Sequence, residues 1–203
     1  TETTDEIVVT TTGGEFPYDG KAHGATVTVS GLPTGYHVET ATSDDSATNV
    51  AEGTVAANCD TLVIKNAQDE DVTSKLNIKY VDGTIKINPA TLTVTTPSDS
   101  KVYDGEALTA EGSISGFVNE ETATFATTGS QTEVGNSKNT YSLTWDGTAV
   151  ESNYTISETI GTLVVTETTD EIVVTTTGGE FTYDGQAHGA TGEVSALPTG
   201  YQL

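Results

Sequence analysis

The chain has 203 residues, of which 30 are acidic and 7 basic, giving a formal net charge of −23 at pH 7 with a hydrophobic content of 34%. All basic residues are lysines, so the chain lacks both the basic clusters that bind phosphate backbones and an arginine fork for carboxylate or phosphate ligands. The composition argues against nucleic acid and anionic membranes as partners, and no apolar run approaches the roughly 20 residues that span a bilayer.

Repeats organise the chain. Residues 1–36 and 166–201 match at 31 of 36 positions, at an offset of 165. A weaker echo lies between them: the triplet Tyr-Asp-Gly occurs three times, and segment 78–87 resembles segment 156–165. We therefore predict three β-modules. Module A covers residues 5–89, module B covers 90–166, and residues 167–203 form the first half of a second module A.

Within the modules, apolar residues alternate with threonine and other polar residues. Ala25, Val27 and Val29 form one such series, Leu92 and Val94 a second, and Tyr141, Leu143 and Trp145 a third. A period of two predicts antiparallel strands with one buried and one solvated face. No stretch of about ten residues shows helical apolar spacing. The prediction is an all-β chain of small β-sandwiches arranged end to end.

The Tyr-Asp-Gly triplets are interpreted as structural turns. Glycine supplies a positive φ angle, aspartate bonds backbone amides downstream, and tyrosine packs on the module core. A ligand site built from the triplet is the alternative. The nine predicted turn residues are Tyr18, Asp19, Gly20, Tyr103, Asp104, Gly105, Tyr183, Asp184 and Gly185.

No catalytic or cofactor motif is present, and we expect no enzyme activity and no cofactor. His23 and His188 follow the turns without further ligands at zinc spacing, so we interpret them as surface or packing residues. The acidic pairs and triplets at 44–45 and 69–71 lack calcium-loop spacing and predict weak Ca²⁺ binding at most. Cys59 has no disulfide partner and no activating neighbour, so we interpret it as structural.

One covalent alternative concerns module B. Some bacterial surface modules join a lysine to an asparagine beside a catalytic acid, and Lys101 and Asn153 are the candidates for such an isopeptide bond. Module A has Phe16 where Lys101 would fall, so the pair is not shared.

The residues of the Tyr-Asp-Gly opening, of segment 30–36 and of the closing segment 80–87 resemble the YDG or MBG-type tandem repeats of bacterial, Gram-positive-like, cell-surface adhesins. The resemblance implies a link with mucin binding and β-grasp-like folds in some relatives. Because the sequence shows no helix for a β-grasp, we expect an immunoglobulin-like sandwich, with a β-grasp-like module as the alternative. It also implies an extracellular location on a bacterial cell surface, with cell-wall anchoring through a region outside this sequence. The absence of methionine likewise suggests a piece of a longer protein.

We expect a stalk or spacer that holds a distal binding domain away from the cell wall, with neighbouring repeats of the same protein as its partners. The alternative is a module that binds host mucin glycans or matrix proteins through multivalency, with Tyr36, Tyr201 and Trp145 as sugar platforms. The incomplete module 167–203 could also exchange strands with another chain.

Overall fold

The computed structural model describes residues 6–203. The predicted start of module A at residue 5, and the first five residues of the repeat, lie outside the described part. Residues 6–203 form twenty β-strands and three short 3₁₀ turns, without an α-helix. The all-β prediction is confirmed. The β-grasp alternative requires an α-helix, and residues 6–203 contain none.

The first repeat contains ten strands and two of the 3₁₀ turns, at Val50–Glu52 and Thr73–Lys75. The strands are β1 Ile7–Thr12, β2 Gly14–Pro17, β3 His23–Gly24, β4 Thr26–Ser30, β5 His37–Thr42, β6 Ser46–Ala47, β7 Thr54–Ala57, β8 Thr61–Lys65, β9 Ile78–Val81 and β10 Gly83–Asn88.

The second repeat contains eight strands and the 3₁₀ turn Glu151–Asn153, and two strands follow it. They are β11 Ala90–Thr96, β12 Asp99–Val102, β13 Ser113–Ser115, β14 Thr124–Thr127, β15 Gly135–Lys138, β16 Tyr141–Thr144, β17 Tyr154–Ile160 and β18 Thr162–Thr166, then β19 Val173–Thr177 and β20 Thr191–Ser195.

The first repeat is built on two long segments, 7–17 and 78–88, that run parallel to each other. Strand β1 pairs with β9, and β2 pairs with β10, with the same register offset of 71 residues in both pairs. Their outer neighbours differ, because β4 flanks β1 whereas β7 flanks β10. The two segments therefore pass together from one three-stranded sheet to the next, as strands do at the corners of β-sandwiches.

Two glycines permit this change of sheet. A Cβ atom on Gly13 would overlap the carbonyl oxygen of Thr84, and one on Gly83 would lie 2.5 Å from the carbonyl oxygen of Thr11. The backbones of the two parallel segments thus approach each other too closely here to leave room for a side chain.

The second repeat has the same strand order as the first. The orders β13-β11-β17 and β12-β18-β15 reproduce β4-β1-β9 and β2-β10-β7. The pairing of β12 with β18 is again parallel, and Gly161 again lies against backbone, at Pro97. The prediction of antiparallel pairing is correct for pairs such as β1 with β4. The parallel pairing between strands at the beginning and the end of a repeat, such as β1 with β9, was not predicted.

The structure confirms the predicted period of two. In β11, Leu92, Val94 and Thr96 are buried and alternate with exposed threonines. The series beginning at Ala25 and at Tyr141 are half-buried on one face and exposed on the other. The apolar faces form small cores, one of them around Ile7, Ile64 and Val72 and another around Leu108, Leu163 and Val165.

The chain divides into two compact units, and the second repeat contributes to both. The first unit holds the described residues up to Thr93 together with Ser115–Thr124 and Trp145–Ser157. The second holds Val94–Ile114, Phe125–Thr144 and Glu158–Leu203. The predicted module boundaries, and an immunoglobulin-like arrangement of the sheets, stay predictions.

The last segment repeats the beginning of the first. Strand β19 pairs with β20 as β1 pairs with β4, with Val173 opposite Ser195 as Val8 is opposite Ser30. Among the described residues β19 has no other partner strand. Ile172 is consequently 41% exposed, whereas the equivalent Ile7 is fully buried. Strand exchange through residues 167–203 stays a prediction.

Candidate functional site: the Tyr-Asp-Gly turns

The first Tyr-Asp-Gly turn is closed by its aspartate. The Asp19 carboxylate accepts the Lys21 backbone N–H at 2.9 Å and lies 3.0 Å from Nε2 of His23. The Lys21 N–H, and then His23, hold the pKa of Asp19 below its usual value. Gly20 has a φ angle of 72°, which an L side chain rarely adopts. The triplet Tyr18-Asp19-Gly20 thus forms a compact turn that is closed by the hydrogen bonds of its aspartate.

The other two triplets have the same construction. Gly105 and Gly185 have φ angles of 82° and 77°. Asp104 accepts the Glu106 N–H at 3.0 Å and Asp184 accepts the Gln186 N–H at 2.9 Å. The pKa of each of these carboxyls is lowered, that of Asp104 mainly by the ammonium of Lys101 and that of Asp184 mainly by the Gln186 N–H.

The two histidines pack against the turns. His23 stacks on Phe16 with ring centroids 4.4 Å apart, and His188 stacks on Phe181 at 4.2 Å. Both also contact the turn aspartate, at 3.0 Å in each case. The predicted role as packing residues therefore has a physical basis, since the imidazole holds the aspartate and covers an aromatic ring.

The Tyr18 hydroxyl reaches a residue of the second repeat. It donates to Oε1 of Glu121 at 2.5 Å, and the Tyr154 hydroxyl donates to the other oxygen of the same carboxylate at 2.7 Å. Both distances are typical of hydrogen bonds to a charged acceptor. The two tyrosine rings meet edge to face at 5.6 Å and are 6% and 7% exposed. All of these residues belong to the first unit.

The backbone of the same turn contacts the same loop. Nδ2 of Asn119 donates to the Asp19 carbonyl oxygen at 2.9 Å. A Cβ atom on Gly20 would overlap the Asn119 amide. The Tyr-Asp-Gly turn of the first repeat thus docks against residues 116–121 of the second.

The second turn makes an equivalent contact within the second unit. The Tyr103 ring meets the Tyr201 ring edge to face at 5.1 Å, and its hydroxyl lies 3.5 Å from the Gly200 carbonyl oxygen. Gly105 lies directly against the backbone of Gly200. The partner of this turn is therefore the segment 196–201.

Three equivalent loops, which we call the contact loops, follow strands β4, β13 and β20. They are residues 31–36, 116–121 and 196–201. Each begins with a positive φ angle, at Gly31, Gly116 and Ala196. Each ends with a backbone hydrogen bond across three residues, donated by its last residue: Tyr36 to Pro33, Glu121 to Val118 and Tyr201 to Pro198. The first two turns therefore each hold the contact loop of the following repeat.

Sequence analysis missed the partners of the turns, above all Glu121, Tyr154 and Asn119. It placed the tyrosine ring on its own module, whereas the Tyr18 hydroxyl bonds a residue 103 positions further on. The recurrence of Ser-Gly at 30–31 and 115–116 is the signal for the contact loop, but spacing alone does not connect that loop with the preceding turn.

The tyrosine pair resists ionisation. Burial, with a further contribution from the Glu121 carboxylate, raises the pKa of Tyr154 to about 12, although the Val118 N–H opposes the shift. Burial, followed by the hydrogen bond to Glu121, also raises the pKa of Tyr18. Folding therefore favours the neutral phenols.

We expect a loss of stability at high pH from this pair. Tyr154 in the unfolded chain ionises near pH 10, so its contribution is fully present below that pH and disappears as the pH rises towards about 12. A rise in pKa from about 10 to about 12 corresponds to roughly 3 kcal/mol. Urea unfolding at pH 8, 10, 11 and 12 measures it. Tyr154→Phe should flatten the decline relative to the matched Tyr183→Phe, and an equally steep decline in both variants would contradict the assignment.

The acidic clusters considered for calcium binding make hydrogen bonds to nearby residues. Asp45 accepts the Asn58 N–H and Asp71 accepts the Thr73 N–H and hydroxyl. Among residues 6–203, no three His, Cys, Asp or Glu side chains are grouped to hold a metal ion. Burial, then Asp60, raises the pKa of the half-buried Cys59 thiol and disfavours its reactive form.

The residues of the isopeptide alternative have other partners. The Lys101 ammonium lies 2.6 Å from Asp104. Asn153 is fully buried, accepts the Val50 N–H at 3.0 Å and donates to the Asn49 side chain at 2.9 Å. The 3₁₀ turn Glu151–Asn153 thus tethers the first repeat through this asparagine, inside the first unit.

The aromatic candidates for sugar platforms also pack internally. Trp145 stacks on Tyr154 with centroids 6.0 Å apart, and Tyr201 packs on Tyr103. Tyr36 is half-buried against the core around Ile7.

In the part of the chain that the structure describes, no helix is both long and apolar enough to cross a membrane.

Comparison with known families finds a match, which lies in the second repeat. Residues 92–164 match the model of the MBG domain (YGX type). The match confirms the resemblance to MBG-type repeat modules of surface proteins, and it falls within the predicted module B. No curated protein and no solved structure matches the chain.

Proposed function

We propose that this chain is a stalk or spacer region of a bacterial cell-surface adhesin, built from repeat modules that display a distal binding domain. The observation that carries the proposal is the repeated joint, in which a Tyr-Asp-Gly turn holds the contact loop of the following repeat. The joint recurs with Tyr18 on Glu121 and with Tyr103 on Tyr201. A joint formed by hydrogen bonds and packed rings holds the contact loop of one repeat on the turn of the preceding repeat, which links successive repeats as a spacer requires.

Two further properties support a spacer. The net charge of −23 keeps neighbouring copies apart by electrostatic repulsion. The three aromatic residues considered as sugar platforms, Tyr36, Tyr201 and Trp145, pack against other rings or a core. We propose no catalytic role. The location belongs to the same proposal: outside the cell, on a bacterial surface, anchored to the wall through a region other than these residues.

Small-angle scattering combined with light-scattering mass tests the spacer. We expect an extended monomer, and we expect Glu121→Ala to broaden the distribution of end-to-end distances by releasing one joint. A compact monomer with the repeats folded against one another would overturn the proposal.

The alternative function is binding of host mucin glycans or matrix proteins, and it has its own test. On a mucin and glycan array we expect no reproducible binding by the wild-type chain. Binding that Tyr36→Ala abolishes would replace the spacer with an adhesive module, which gains avidity from tandem display.

A further inference from the structure

We propose that the third Tyr-Asp-Gly turn, Tyr183-Asp184-Gly185, is a docking site for a contact loop of the kind found at 116–121, supplied by a further module B. The inference rests on the proposed function, because it names the partner that continues the array. It also sets an order, in which each module A turn takes a module B loop.

The third turn is free but already formed. Tyr183 is 94% exposed, whereas the equivalent Tyr18 is 6% exposed. Its aspartate nevertheless makes the same bonds as Asp19, to a backbone N–H two residues on at 2.9 Å and to histidine at 3.0 Å. The stack of Phe181 on His188 reproduces that of Phe16 on His23. Docking therefore requires little further ordering of the turn, which favours binding.

The near-identity of the two module A turns determines the class of partner. The first turn binds a loop that ends in glutamate, and its tyrosine donates to that carboxylate. The module B turn binds instead a loop that ends in tyrosine, and the contact is between rings. Tyr183 stands in the sequence context of Tyr18, so the matching partner carries a carboxylate at the position of Glu121 and an amide at that of Asn119.

The second turn shows that docking is general rather than peculiar to one pair. Gly105 meets the backbone of Gly200 as Gly20 meets Asn119, although the loop sequences differ. At Gly185 the equivalent space is empty, since no atom lies within 4 Å of a Cβ built there. The third turn therefore leaves room for a loop that the described residues do not supply.

A lengthened chain tests the proposal. Residues 37–166 are appended after Tyr201, which completes the second module A and adds a second module B, and Cys59 is replaced by serine in both copies. A Cβ atom on Gly20 would lie 3.7 Å from Cβ of Asn119, within the range of disulfides. We therefore expect Gly185→Cys to form a disulfide with Asn119→Cys of the appended module on mild oxidation.

Two further pairs of cysteine substitutions in the same lengthened chain serve as the positive and the negative control. Gly20→Cys with Asn119→Cys of the original module reports the known joint. Gly53→Cys with the appended Asn119→Cys reports random collision, since Gly53 has a similar φ angle of 71° and equally open surroundings. Crosslinking of the Gly185 pair without the Gly53 pair supports the proposal. Failure of the Gly185 pair where the Gly20 pair forms overturns it, and so does equal crosslinking of the Gly53 pair.

Nitration of tyrosine gives a second readout without cysteines. Tyr183 should react several-fold more slowly with tetranitromethane in the lengthened chain than in a chain extended only by residues 37–89, which completes the second module A without adding a module B. The half-exposed Tyr80 should react equally in both. An unchanged rate at Tyr183 would contradict docking. Neither readout depends on overall extension or on glycan binding, so the docking and the spacer function fail separately.

Discussion

Replacing Gly13 by alanine is expected to lower the free energy of unfolding by about 3 kcal/mol, whereas Gly178→Ala should change it by less than about 0.5 kcal/mol. The two glycines stand in the same sequence context, 165 residues apart. A Cβ atom on Gly13 would overlap the backbone of Thr84, but a Cβ atom on Gly178 meets nothing within 4 Å. Only the first glycine lies where two parallel segments change sheets.

Urea unfolding followed by the fluorescence of Trp145 measures both variants, because Trp145 belongs to the same unit as Gly13. A Cβ atom that overlaps a carbonyl forces the backbones apart, and both three-stranded sheets of the first repeat share those backbones. Equal effects of the two substitutions would show that glycine acts at both positions through chain flexibility alone, and would contradict a role for Gly13 in the close approach of the two segments.

The pair also shows what sequence reasoning can and cannot provide. The alternation at Leu92 and Val94 follows from neighbouring residues and was predicted correctly as a strand signal. The turn signal at Asp104-Gly105 is local in the same way, and Gly105 has a positive φ angle. The parallel pairing of β1 with β9 joins residues 71 positions apart. A period of two states which face of a strand is buried but not which strand lies beside it, so this pairing could not be derived.

The same limit applies to the candidate site. The repeated Tyr-Asp-Gly triplet is visible in the sequence, and its glycine and aspartate were given the local roles that the turns display. The tyrosine acts over a distance of 103 residues, and its acceptor Glu121 stands where the other contact loops have tyrosine. Because the two joints use different chemistry, comparing the repeats hides the contact instead of revealing it.

The contribution of this joint is measured by Glu121→Ala, which we expect to destabilise the chain by about 2–4 kcal/mol. The substitution removes two charge-assisted hydrogen bonds, each of which contributes about 1.5–3 kcal/mol, and leaves two buried tyrosine hydroxyls without their acceptor. Thermal or urea unfolding at pH 7 gives the value, where both phenols are neutral.

Glu120→Ala is the matched control, because it removes the same charge at the neighbouring position. The Glu120 side chain is exposed and makes no hydrogen bond with other residues of the described range 6–203, so the substitution should change stability by less than about 0.5 kcal/mol. Tyr18→Phe and Glu121→Ala both remove the hydrogen bond between these two side chains. The loss of stability in the double variant should therefore be smaller than the sum of the losses in the two single variants. Full additivity would mean that Tyr18 and Glu121 stabilise the protein independently. The contact of Tyr18 with Glu121 would then be a chance proximity, and it would not hold the contact loop 116–121 on the first turn.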